Sequence, residues 1–162
     1  MGEIALPITD KNAPLMIRNL IQELEIHMAE MPGALVGDSC PLKHSFAKGL
    51  YIREITMPAN MLFVTKLHKY SHAAFLLSGA VSVLEEGGAR YITAPASFIT
   101  QAGTKRIVYT HTDSVWTTVH STDKMDLKEI EEEIIAKGFS EISAEDDENH
   151  NAYREVLRCL GQ

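Results

Sequence analysis

Two cysteines, Cys40 and Cys159, are all that this 162-residue chain contains. That is too few for the disulfide framework of a small secreted domain, so free thiols are expected. No apolar run approaches the roughly 18 residues of a membrane span, and a membrane partner is not expected. Met1 to Leu6 has neither the basic start nor the apolar stretch of a secretory signal, which makes the cytoplasm the expected location. Positive charge is also scarce. The net charge is −7: residues 1–122 balance ten acidic against ten basic side chains, while residues 123–162 carry twelve against five. With no Lys/Arg stripe interleaved with aromatics, nucleic acid is not an expected partner. There is no G-x-S-x-G elbow, P-loop, H-E-x-x-H or G-x-G-x-x-G, which removes the common hydrolase, nucleotide and zincin signatures.

What is present suits one ordinary domain, long enough to bury about 68–70% of the surface its unfolded chain exposes. Residues 13–31 place Leu15, Ile17, Leu20, Ile21, Leu24 and Met28 at mostly helical spacing, with Asn12 as N-cap, Pro14 in the first turn and Pro32-Gly33 as the stop. His27 on that helix reads as a surface imidazole. From Leu50 to His120 the texture changes to about eight short β-rich runs, LYIREITM, MLFVTKL, AAFLLSG, AVSVLEE, ARYIT, SFIT, KRIVYT and VWTTVH, parted by turn residues. No helix-length connection separates them, so an antiparallel barrel or jelly roll is expected rather than a βαβ sheet. Met125–Lys137 aligns Leu127, Ile130, Ile134 and Ile135 as a helix face closed by Gly138, and Tyr153, Val156, Leu157 and Leu160 suggest a last apolar stripe.

The chemistry-bearing stretch is TKLHKYSHAAFLLSG, residues 65–79, with His68 and His72 four apart. On a regular strand Lys66, His68, Tyr70 and His72 share one face, and in a barrel that face can be the inside. Two imidazoles do not make a metal site. His120, closing VWTTVH, is the strongest distant third ligand, and Glu54 in YIREITM is the alternative for a two-histidine, one-carboxylate site. His111 lies in a turn and is a weaker choice. The sequence Cys40-Pro-Leu-Lys-His44 lacks zinc-finger spacing and reads as a half-buried loop. Trp116 reads as core, and an inward Tyr51, Tyr70, Tyr91 or Tyr109 would give a ligand pocket both wall and hydroxyl.

These residues resemble the cupin family, whose first motif is G-x5-H-x-H-x3-4-E-x6-G. With Gly79 as the closing glycine, His72 takes the glutamate place, His68 the second histidine place and Lys66 the first. The second motif, G-x5-P-x-G-x2-H-x3-N, falls on Pro95, Gln101-Ala-Gly103, Arg106 and Thr110, so Arg106 stands where a metal-binding histidine is usual. The chain is also similar to small cupin-like proteins of phage and prophage genomes, which share CPLKH, GLYIREI-x-MPA, HK-x2-H, GTKR and VWTTVH, here starting at Cys40, Gly49, His68, Gly103 and Val115. The resemblance implies a mainly β, cupin-type jelly roll over residues 39–122 and a homodimer, to which the helical spacing and charge distribution add an N-terminal helical arm over 1–38 and an acidic helical segment over 123–162. If the phage likeness extends to origin, the compartment is the host cytoplasm.

Three functions stay open. In the first, Lys66, His68, Tyr70, His72 and Arg106 bind a small polar or anionic ligand without metal catalysis, since two fixed cations favour carboxylate or phosphate. In the second, His68 and His72 with His120 or Glu54 hold Zn, Fe, Mn or Ni in an oxygenase or isomerase. In the third, the barrel is a scaffold for protein interaction.

Overall fold

The computed structural model describes residues 4–7, 13–32 and 39–143. Two five-stranded antiparallel sheets face each other across the core. One has the order β1 (Ile4–Pro7), β8 (Gly88–Thr93), β7 (Ala80–Glu85), β10 (Ile107–Thr110), β4 (Leu62–Val64). The other runs β2 (Leu42–Ala47), β3 (Leu50–Met57), β11 (Ser114–Ser121), β6 (His72–Ser78), β9 (Ala96–Thr100). A two-stranded pair, β5 (Leu67–His68) with β12 (Ile135–Ala136), lies across one end. The helices are α1 (Ala13–Glu30) and α2 (Leu127–Ile134), and a 3-10 turn follows at Phe139–Glu141. This is the mainly β architecture with flanking helices that the run-and-turn pattern predicts. No described helix is long and apolar enough to cross a membrane.

Strand alternation sorts the side chains. In the second sheet, register aligns Leu42, Ile55, Trp116, Leu76 and Ala96 as one inward row. Leu76, Met57 and Trp116 meet Val81, Val83, Ile92 and Val108 from the facing sheet to form the main core. Trp116 is therefore buried, with its indole edge-on to Phe98 at 5.2 Å. The next row is His44, Arg53, Thr118, Ala74 and Phe98; the one after it holds Phe46, Tyr51 and His120, with His72 and Thr100 paired alongside. One end of the barrel is thus apolar and the other polar.

Several boundaries differ from the sequence reading. Ile4–Pro7 adds an edge strand on β8, so the first segment is not wholly helical. Leu42–Ala47 is a strand rather than a loop, because its backbone completes the free edge of β3. MLFVTKL splits into β4 and β5. Helix α2, capped by the Asp126 carboxylate on the amides of Lys128 and Glu129, stops at Ile134 instead of Lys137 because Ile135 and Ala136 pair with His68 and Leu67. Tertiary strand pairing here outweighs the helical preference of the segment. Asn12, Gly33 and the stripe Tyr153, Val156, Leu157, Leu160 lie outside the described residues, as does Cys159.

Candidate metal and ligand site

The polar end of the barrel gathers three histidines from three strands. His120 ends β11, His72 starts β6 and His68 lies in β5, with ring centroids 4.3 Å (68 to 72), 4.5 Å (72 to 120) and 5.1 Å (68 to 120) apart. One ligand atom from each lies within 4.8 Å of the other two. Register explains the pairing of β11 with β6: Val119 faces Ala73, and the next step brings His120 beside His72. His68 arrives differently. The chain bends at Lys69 and Tyr70, and β5 is held by Ile135 across the ladder and by the Lys69 amide donating to the Ile134 carbonyl.

Burial sets the protonation state of all three. His72 and His120 are buried and His68 is half-buried. Burial, reinforced by His72 and then Arg53, lowers the His120 pKa to about 3. His72 is lowered to about 4 by burial, against the opposing hydrogen bond to the Tyr70 carbonyl and with a further push down from Arg106. His68 lies well below the ordinary imidazole value through burial, then its two histidine neighbours, then Arg106 and Arg53. The triad is neutral at pH 7, the form in which imidazole binds metal. His72 Nδ1 lies 3.2 Å from the Tyr70 carbonyl, which can only accept, so Nδ1 carries the proton and Nε2 keeps its lone pair. Thr118 Oγ1 anchors His120 at Nε2, 3.0 Å away. Tyr51 is buried, stacks on His120 at 6.0 Å and shares a 2.8 Å hydrogen bond with His44 Nδ1.

The other residues singled out by sequence divide between the surroundings of the triad and more distant places. Lys66 is ion-paired with Glu131 of α2, on the outside of the barrel end. Tyr70 is 58% exposed and contributes its carbonyl to His72 and its side chain to the rim. Arg106 is buried near His68 and His72, but its Nε donates to Glu85 Oε2 at 2.5 Å and its Nη1 to Thr100 Oγ1 at 3.0 Å. Glu54 is on the opposite face of β3 from the triad, beside Thr117 and 4.0 Å from Lys43. His111 bonds Ser82 at 2.8 Å in its turn, and His27 is exposed on α1. Arg53 and Glu85 are residues near the triad that the sequence reading passes over, whereas Tyr51 is among the tyrosines it offers as inward-facing. The signal was the parity of LYIREITM: Arg53 shares its face with core-facing Ile55 and Met57, and Glu54 does not.

A pocket of about 270 Å³ opens beside His120, lined by Tyr70, Ser71, Ser121, Glu133 and Ile134. It lies at the rim formed by α2 and the β5–β6 bend, and of the triad His120 is the member that lines it.

No protein-family model matches the sequence, and no curated protein does. Solved structures do match. Ectoine synthase from P. lautus, 11% identical, superposes with a TM-score of 0.50 over 68% of this chain and 86% of that one. KdgF from Halomonas sp., 16% identical, gives 0.47 over 60% and 93%, and a cupin-2 domain containing protein from Shewanella frigidimarina, 4% identical, gives 0.43 over 51% and 80%. At these identities the likeness is one of fold, and the mainly β, antiparallel barrel with flanking helices is the architecture expected from the sequence.

Proposed function

We propose that this cupin-type barrel is a metal-binding protein, holding a divalent transition metal on His68, His72 and His120 with its remaining positions open to a small polar or anionic molecule. The observation that carries the reading is the convergence of three neutral imidazoles from separate strands. Of the functions left open by the sequence, it favours the one with a metal.

The donor set fits such an ion. Three nitrogen donors of borderline softness, with no thiolate in the group, suit Zn, Fe or Ni better than Mg or Ca. Two of the rings are already oriented, His72 by the Tyr70 carbonyl and His120 by Thr118, as metal-binding imidazoles are by their outer partners. Neutral rings release no proton on binding, which removes one cost of loading near pH 7. A three-ligand ion supplies a Lewis acid with open positions. Around it the barrel walls exclude water on one side, and the pocket beside His120 gives access on the other.

Elemental analysis of protein purified without chelator tests the reading. The expected result is roughly one transition metal per chain in the wild type, with that content lost in His68→Ala, His72→Ala and His120→Ala. A wild type without stoichiometric metal, and with none restored by dialysis against Zn, Fe, Mn or Ni at pH 7.5, would overturn it.

A further inference from the structure

The pocket beside His120 has one charged side chain in its lining, Glu133 of α2. The polar atoms around it are unequally committed. The Ser71 hydroxyl donates to Gln101 Oε1 and accepts from the Ala102 amide, both at 3.1 Å, and so belongs to the wall. Glu133 Oε2 accepts from the hydroxyl of buried Thr122 at 2.6 Å and lies 3.9 Å from Lys124 Nζ. The same hydroxyl accepts from the Lys124 amide at 3.1 Å, so the carboxylate is fixed through one of its oxygens. Among the described residues, Glu133 Oε1 and the hydroxyls of Tyr70 and Ser121 have no hydrogen-bond partner. What is left to meet a ligand is one charged acceptor and two hydroxyls, with no cationic donor in the lining.

We infer that this pocket takes a neutral molecule with hydroxyl groups on adjacent carbons, a vicinal diol, and that Glu133 selects for it by accepting a hydrogen bond from one of them. The inference rests on the metal reading and narrows the ligand of that site to one class. A carboxylate or phosphate would meet Glu133 with no cation in the lining to offset the repulsion, since Lys124 stands at the oxygen already held. An ammonium would suit Glu133 but would face the dication. A hydroxyl is repelled by neither, and an O–H donated to a carboxylate is stronger than a bond between neutral groups. The second hydroxyl can accept from Tyr70 or Ser121, while Ile134 and the Tyr70 ring give the C–H face of the molecule an apolar wall.

The test is calorimetric titration of cobalt-loaded full-length protein with probes built on one ring, cis-cyclohexane-1,2-diol, cyclohexanecarboxylate and cyclohexylamine, with cobalt content measured on every sample. The diol is expected to bind most tightly. Glu133→Leu is expected to keep its cobalt and to weaken the diol about ten- to a hundred-fold, the contribution of a hydrogen bond to a charged group. It should also strengthen the carboxylate, a change of preference that a merely structural Glu133 would not produce. Glu133→Gln, which keeps an acceptor without the charge, should fall between the two and serves if the leucine variant does not fold. Tighter binding of the carboxylate or the amine to the wild type, no binding of the diol, or unchanged diol affinity in both variants would overturn the inference while leaving the metal centre standing. If the wild type takes no cobalt, the metal centre falls, and the same titration of the metal-free protein and its Glu133 variants still decides the role of Glu133: a diol affinity that depends on the carboxylate sustains it, and one that does not ends it.

Discussion

A histidine enclosed at a barrel mouth gives up most of its capacity to hold a proton. In the unfolded chain each of the three regains an ordinary pKa near 6.5, whereas in the fold His72 is held to about 4 and His120 to about 3. The unfolded state therefore binds more protons below pH 6.5, and stability falls as the pH drops from there toward the folded values. Chelator-treated wild type should thus melt at a lower temperature at pH 5 than at pH 7.5, and His72→Gln should reduce that difference; equal pH sensitivity in the two proteins would contradict the burial account. At this scale the sequence was informative about residue type and silent about direction. His68, His72 and His120 could be picked out because imidazoles are scarce and chemically suited. Lys66 and Glu54 are equally plausible by type, yet one pairs with α2 and the other points off the far side of β3. Orientation depends on where the strand bends, and the bend at Lys69–Tyr70 is set by pairing with a segment more than sixty residues away.

The β6–β7 corner shows how tightly the elements meet. Gly79 has φ +90°, and a Cβ there would lie 2.2 Å from Ser114 Oγ and 2.5 Å from the Asp113 carbonyl oxygen. Gly79→Ala should cost about 2 kcal/mol or more by chemical denaturation, from left-handed backbone plus the clash; a cost below about 0.5 kcal/mol would show that the corner can relax. Helix α2 closes the polar end by placing Ile130 and Ile134 against Tyr51. Ile130→Ala should lose about 2–5 kcal/mol, and because β12 follows α2 directly, it should also loosen His68 and weaken metal retention. Unimpaired retention in a clearly destabilised variant would separate the lid from the site. The strands themselves were legible, since turn residues punctuate nearly every reversal. The short pair β5–β12 was not, because two-residue strands leave no periodicity to read.

Across the whole molecule, α1 is fastened to the barrel by ion pairs from both sides: Arg18 Nε to Glu86 Oε1 at 2.6 Å and Lys105 Nζ to Glu25 Oε2 at 2.5 Å, with the Arg18 guanidinium also 4.1 Å from the Phe139 ring centre. Glu86 is buried, so Arg18→Met should cost about 3 kcal/mol, more than Glu25→Gln at the less buried pair, where the carboxylate side chain is 45% exposed. Similar costs for the two would refute the importance of burial there. The same whole-molecule logic would link a metal to the fold, because the three histidines lie on β5, β6 and β11 and an ion joining them would bind only the assembled barrel. The most direct measurement of the central claim is X-ray absorption at the metal edge of the loaded wild-type protein. Scattering from three imidazoles at roughly 2.0–2.1 Å, falling to two in His120→Ala, is the predicted result. A first shell of oxygen alone, or one indifferent to His120, would contradict it.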